Sequence, residues 1–122
     1  MKSRWETNRD RRIFIFDLSG FGADEIGLIR ECDEADAVIM AEPLNSVLVL
    51  NDVRGTTGSV EVVRHLQLSA ERSNPYIIKA AVVGISGTKW ILLQIVNRFA
   101  KLSIVPFDDF EKAKDWLVQS SE

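Results

Sequence analysis

Residues 52–66, DVRGTTGSVEVVRHL, combine an acidic residue, two glycines and three hydroxyls between an apolar run and a helical pattern. Glycine amides at a helix start could bind a phosphate, and a hydroxyl could accept one. The same residue types also turn the chain and cap helices without further chemistry. Thr56, Thr57 and Ser59 are therefore candidate phosphoacceptors or helix caps.

Two glycine-containing stretches invite comparison with nucleotide-binding loops, and neither has the required spacing. GISGTK at 84–89 has two residues between its glycines, whereas a Walker loop has four. GFGADEIG at 20–27 places Glu25 where the third glycine of a dinucleotide fingerprint belongs. The sequence argues against a phosphate-loop enzyme.

Catalytic side chains are sparse. Asp17 and Asp52 each end a predicted strand, so paired carboxylates are conceivable, but we expect both to accept amide hydrogen bonds in the turns that follow. The single histidine, His65, lies inside a predicted helix, and the single cysteine, Cys32, is expected to be a buried, inert thiol. We predict no enzyme activity, no metal and no cofactor.

Length, net charge and composition limit the classes of protein to which this chain could belong. A chain of 122 residues is expected to form a single domain, residues 1–122, and its net charge of −3 argues against nucleic-acid binding. Residues 1–12 carry five basic and two acidic side chains, a local excess that could meet a membrane surface. With no signal-peptide pattern and one cysteine, a cytoplasmic location is expected.

Hydrophobic periodicity predicts an α/β fold with the order ββαβαβαβα. Strands alternating with helices predict a mainly parallel, mixed sheet of about five strands. We expect Asp108 to cap the last helix. The predicted strands are 4–7, 12–18, 46–52, 76–84 and 101–107, and the predicted helices are 23–43, 59–74, 90–100 and 108–119.

Six of the seven glycines occur in pairs, each after a predicted strand and before a helix. All three loops are therefore expected at the carboxyl edge of the sheet, where open α/β sheets bind ligands. We expect glycine to occur in these loops because tight turns need residues that tolerate positive φ. An anion site formed by the loops is the alternative explanation. With the two aspartates, the strand-end loop site comprises Asp17, Gly20, Gly22, Asp52, Gly55, Gly58, Gly84 and Gly87.

The predicted helix at 90–100 has more apolar residues than a single buried helix face requires. Six of the seven residues in WILLQIV are apolar, and Trp90, Ile91 and Leu93 have no obvious cover in so small a domain. A homodimer through this helix is the first hypothesis, followed by a flap over an apolar pocket and by weak membrane-surface contact. Burial under neighbouring helices is the alternative without a binding role.

Four segments together resemble the SpoIIAA-like group of the STAS superfamily, relatives of anti-sigma-factor antagonists and of Sec14-type lipid-binding domains. The segments are FDLSG at 16–20, SVLVLNDVRG at 46–55, AAVVGISG at 80–87 and FDDFEKAKDWL at 107–117. The resemblance spans residues 4 to 118. It implies a bacterial α/β domain with a binding or regulatory role and no chemistry.

In the antagonists that this chain resembles, a serine in an Asp-Ser-Ser/Thr-Gly turn is phosphorylated. The matching position here is Thr56, in Gly55-Thr56-Thr57-Gly58, so glycine replaces the aspartate and threonine replaces the serine. The expectation is a regulatory module acting through protein contacts. The alternative is a carrier of a small apolar or lipid-like ligand, or a peripheral membrane protein.

Overall fold

Strands and helices follow one another in the predicted order through the part of the chain that can be described. The computed structural model describes residues 1–86, 90, 93–94, 97–98 and 104–119. Its strands are β1 (Arg4–Asn8), β2 (Arg11–Asp17), β3 (Val47–Asp52), β4 (Ile77–Val83) and β5 (Ile104–Phe107). Its helices are α1 (Glu25–Met40), α2 (Val60–Ser73) and α3 (Phe110–Val118), and residues 90, 93–94 and 97–98 are also helical.

The five strands form one mixed sheet in the order β1-β2-β3-β4-β5. β1 pairs with β2 antiparallel, and the pairs from β2 to β5 are parallel. This confirms the predicted α/β class and the mainly parallel sheet. Because each new strand adds on the same side, the strand order never reverses, and the sheet lacks the crevice that a reversal creates for ligands.

A two-residue turn joins β1 to β2. Arg9 and Asp10 both have positive φ, 52° and 65°. Positive φ at both central residues is the type I′ geometry, whose twist matches that of the flanking strands. The predicted hairpin is therefore present, with its turn at residues 9–10 inside the polar tetrad.

The central strands are buried on both faces, as their unbroken apolar runs predict. Phe14, Phe16 and Val49 face α1 and α2. Ile13, Ile15 and Leu50 face α3. Two crossover helices thus share one face of the sheet, as right-handed connections in a single direction require, and the terminal helix covers the other.

Helix ends differ from the predictions by a few residues, and each difference has a local cause. α1 begins after Asp24, whose carboxylate accepts from Gly27 N at 3.0 Å. A 3₁₀ turn at Asn74–Tyr76, containing Pro75, delays the start of β4. The expected cap Asp108 was wrong by one position: β5 runs to Phe107, and Asp109 has the extended backbone of a cap and accepts from Glu111 N at 2.8 Å.

At the β5 edge of the sheet, the side chain of Asn97 pairs with the backbone of the edge strand. Asn97 Nδ2 donates to Ile104 O at 3.1 Å, and Asn97 Oδ1 accepts from Ile104 N at 3.0 Å. The amide thus pairs with both polar groups of one edge residue, as a neighbouring strand would. Pro106, two residues on, has no N–H to offer, so this edge is a poor template for another strand.

Replacing Asn97 with alanine is expected to leave the Ile104 N–H and C=O without these partners. We predict a loss of about 1–3 kcal/mol in the free energy of unfolding and concentration-dependent association through the opened edge. Urea denaturation and light scattering measure the two effects. Arg98→Ala, at an exposed neighbouring position, is the control, and equal behaviour of the two variants would contradict this role for Asn97.

Candidate functional site

Two loops at the carboxyl edge, residues 18–24 and 52–59, extend the pairing of β2 and β3 beyond the strands. We call them the loop pair. Gly20 N donates to Arg54 O at 2.8 Å, and Gly22 N donates to Gly55 O at 2.9 Å. Thr57 N returns a bond to Gly22 O at 3.0 Å. These three amides are occupied within the protein, so the loop pair does not present them to an anion.

Thr56 holds the loop pair together. Its Oγ1 donates to Leu18 O at 2.5 Å and accepts from Phe21 N at 3.1 Å, and the residue is only 6% exposed. A kinase would reach this hydroxyl only after the two loops had separated. The position that the family resemblance matches to the phosphorylated serine is therefore a structural contact in this conformation.

The other two hydroxyls of the stretch have separate roles. Ser59 is the cap of α2, and its Oγ accepts from Val62 N at 3.2 Å. Thr57 is exposed and donates to Gly22 O at 2.9 Å. Of the three candidate caps, Ser59 alone occupies the capping position, because the loop pair holds Thr56 and Thr57 outside the helix.

The glycines of the strand-end loop site mainly serve turns and close approaches. Gly84 is the clearest case, because a Cβ there would lie 2.6 Å from Arg54 N. Gly58 is exposed and is not among the glycines with positive φ, and Gly87 lies outside the described residues. Positive φ is found at Gly20 (72°), Gly22 (56°), Gly55 (68°) and Gly84 (96°).

Asp17 and Asp52 stand side by side in the register of β2 and β3 and accept the predicted turn amides. Ser19 N donates to Asp17 at 3.0 Å, and Arg54 N donates to Asp52 at 3.1 Å. Each carboxylate also has a cation of its own: Arg4 lies 2.9 Å from Asp17, and Arg54 lies 2.7 Å from Asp52. The two carboxylates therefore do not have to share a proton.

The pKa of Asp17 argues further against a catalytic acid. Burial alone would raise this pKa, but hydrogen bonds from the hydroxyl and amide of Ser19 and from Arg4, with the charge of Lys2, outweigh burial and lower it. Asp17 is thus ionised at neutral pH and anchored in its loop. A general acid would need the opposite shift.

Behind the loop pair, an apolar cavity of about 140 Å³ lies between the sheet and its helices. Phe16, Val49 and Val82 form part of its floor on the sheet, while Val63 and Leu66 of α2 line the opposite side. No charged side chain lines it within the described parts of the chain. No single motif predicted this cavity, because it forms between residues far apart in the sequence.

Leu93 is one of the three residues predicted to form an apolar interface or pocket. Only 7% of Leu93 is exposed, and it lines the cavity instead of facing solvent. Trp90 is 47% exposed, as a surface contact requires, and Ile91 lies outside the described residues. Leu93 therefore contributes to the cavity wall, and Trp90 to the surface.

A polar group of side chains that the sequence analysis missed joins α1 to α2. We call Asp33, Asp36, His65, Ser69 and Arg72 the α1–α2 cluster. Buried Asp36 accepts from Ser69 Oγ and from Arg72, both at 2.7 Å, and His65 Nε2 lies 2.7 Å from Asp33. Burial raises the pKa of Asp36, although the bonds from Ser69 and Arg72 oppose the shift.

The α1–α2 cluster contains no nucleophile ready to react. Ser69 donates its proton to Asp36, not to His65, so the geometry of a Ser-His-Asp triad is not present. Cys32, packed nearby on α1, is fully buried, and burial together with the charge of Asp36 raises its pKa to about 12. As expected, this thiol is inert at neutral pH, because the thiolate is the reactive form.

Most of the basic N-terminal residues are neutralised. Arg4 pairs with Asp17, Arg9 lies 3.8 Å from Asp115, and Arg12 lies 2.5 Å from Glu42. None of the helices among the described residues is long and apolar enough to cross a membrane. Throughout the same residues, no group of three acidic, histidine or cysteine side chains is placed to hold a metal ion.

Replacing Thr56 with valine is expected to lower the free energy of unfolding by about 2–4 kcal/mol, because two backbone groups lose their partner. Thr56→Ser keeps the hydroxyl and should recover most of that loss. Thr57→Val is the control at an exposed hydroxyl, with an expected effect within about 1 kcal/mol. Chemical denaturation of the three variants decides the matter, and equal losses at positions 56 and 57 would contradict the role given to Thr56.

Comparisons of the chain with protein-family models, with curated proteins and with solved structures found no match. The function of the site is therefore argued from its own geometry.

Proposed function

We propose that the protein is a non-enzymatic binding module of the SpoIIAA-like STAS type whose ligand is a small apolar molecule. The cavity between the sheet and its helices is the observation that carries this proposal. Its volume of about 140 Å³ is close to that of an apolar cavity of about 150 Å³ that binds benzene in another protein. Among the described residues its lining is mostly aliphatic, with Phe16 as its aromatic member.

The energy of an empty cavity supports a ligand. At about 24 cal/mol per Å³ for a closed cavity, an unfilled volume of 140 Å³ costs at most about 3 kcal/mol, because this cavity is partly open to solvent. That is a large part of the 5–15 kcal/mol by which a typical domain is stable. A bound molecule would recover part of this energy through contacts with Val63, Leu66 and their neighbours.

Two adjacent alanines of β4 test the cavity, because they face opposite sides of the sheet. Ala80 lines the cavity, and Ala81 packs against α3. We expect Ala80→Leu to keep or raise the melting temperature by filling space. Ala81→Leu should overpack the other core and lower the free energy of unfolding by about 1–3 kcal/mol.

Native mass spectrometry of protein purified from its own host tests for a bound ligand. Solvent extraction of the bound fraction then identifies that ligand. Wild-type protein should show an added small mass that Ala80→Leu lacks. Equal destabilisation by both alanine variants, together with no added mass, would contradict the proposal.

A second candidate function is a regulatory contact with another protein, of which a two-fold dimer is the simplest form. Three exposed apolar side chains support it: Ile26 (76% exposed), Val60 (73%) and Trp90 (47%). Ile26 and Val60 lie in the first turns of α1 and α2, and the strand order puts both turns at the same edge of the sheet. Exposed apolar groups of this kind are common in partner surfaces.

If Trp90 mediates a dimer, light scattering after gel filtration should give twice the monomer mass at micromolar concentration. Trp90→Gln should then restore the monomer, because the central apolar contact is lost. Leu44→Ser, which removes an exposed apolar group near the opposite edge, is the control and should remain dimeric. A monomeric wild-type protein would remove the dimer from consideration.

A further inference from the structure

The polar groups in the cavity wall restrict the chemistry of its ligand, an inference that rests on the proposed function. The side-chain hydroxyls of the cavity wall already donate hydrogen bonds to other groups of the protein. Thr56 donates to Leu18 O, Thr57 donates to Gly22 O, and Ser69 donates to Asp36. A fourth hydroxyl, that of Ser73, donates to Ser69 O at 2.9 Å. These groups therefore do not provide free protons for a ligand.

Of the two asparagines that line the cavity among the described residues, Asn74 lies in the 3₁₀ turn, and Asn51 is the one on the sheet. It lies near the end of β3, among the residues that line the cavity. Its Nδ2 donates to Ala81 O at 3.1 Å, and this bond fixes which side of the amide is nitrogen, because a carbonyl oxygen only accepts. No hydrogen bond to Asn51 Oδ1 is found from the described residues. This oxygen therefore retains the capacity to accept a hydrogen bond at the cavity wall.

Charge restricts the ligand further. An ionised carboxylate or phosphate would enter an apolar space whose described wall holds no cation, and burying such a group without a partner is very unfavourable. Two cations of the neighbouring elements are engaged elsewhere: Arg72 with Asp36, and Arg54 with Asp52. The ligand must therefore be neutral.

We propose that the cavity selects a neutral molecule of about six carbons that carries one hydroxyl, with that hydroxyl donating to Asn51 Oδ1. The size follows from the cavity volume of about 140 Å³, which matches a single ring. A long acyl chain would have to extend outside it. Phenol and short-chain alcohols are the simplest members of this class, and fatty carboxylates and phospholipid headgroups are excluded from the cavity.

Toluene and phenol form a matched pair of probes, because they have nearly the same shape and differ by a methyl against a hydroxyl. Binding of each is measured by NMR titration to the wild-type protein, to Asn51→Leu and to Ser73→Ala. We expect Asn51→Leu to bind phenol about tenfold more weakly and toluene within about twofold of wild type. Ser73→Ala is the control from the same cavity, and its ratio of phenol to toluene affinity should equal that of wild type.

Toluene also reports whether each variant retains the cavity, so a misfolded Asn51→Leu protein is recognised at once. In that event Asn51→Gln, which keeps the amide on a longer side chain, takes its place and should likewise weaken phenol but not toluene. Benzoate, of similar size but charged, should not bind to any variant.

The outcomes separate the two proposals. If toluene does not bind to the wild-type protein, the proposed function is wrong, and this inference is overturned with it. If toluene binds but the affinity for phenol is independent of Asn51, or if benzoate binds as tightly as phenol, this inference alone is overturned. Tighter binding of 1-dodecanol than of 1-hexanol would overturn the stated size.

Discussion

Burial of β2 and β3 on both faces is the constraint on which the rest of the structure depends. A strand covered on both sides must be apolar at consecutive positions, and Ile13–Phe16 and Val47–Leu50 meet that demand. The buried polar residues Asp17 and Asp52 follow only where turn amides and arginines bind their carboxylates. The position of the carboxyl edge, and hence of every loop that could act there, is therefore fixed by the length of these two runs.

The order in which the strands are added to the sheet then determines where the fold leaves space for a ligand. Since the strands add in one direction, no reversal of strand order opens a crevice at the carboxyl edge, and the loop pair closes the part of that edge above β2 and β3 through hydrogen bonds between backbone groups. Two crossover helices share one face of a five-stranded sheet, and that face holds the cavity. A more open cavity of about 380 Å³ lies at the carboxyl edge beside Gly55 and Gly84, and the binding that we propose uses the apolar cavity under the helices.

Sequence patterns predicted the local features of this protein and missed the ones that depend on distant partners. The turn bonds of Asp17 and Asp52 join residues two positions apart, so the residue types alone are enough to predict them. Thr56 meets Leu18 across 38 positions, and Asp36 meets Ser69 across 33. No local pattern distinguishes these buried hydroxyls and carboxylates from solvated ones, and the cavity likewise exists only once β3, β4 and α2 are packed together.

Polar contacts hold α2 at both of its ends and along its side. Thr56 and Ser59 fix its start, and the bond from Asn45 N to Pro75 O, at 2.9 Å, fixes the turn that follows it. Along its length, Ser69 and Arg72 hold it to Asp36 of α1. These polar contacts fix the distance between α2 and the sheet. The small side chains of Ser69, Ala70 and Ser73 on the cavity wall therefore leave space that a larger residue would have filled. The polar bonds that engage Ser69 and Asp36 in the α1–α2 cluster thus also maintain the cavity volume on which the proposed binding depends.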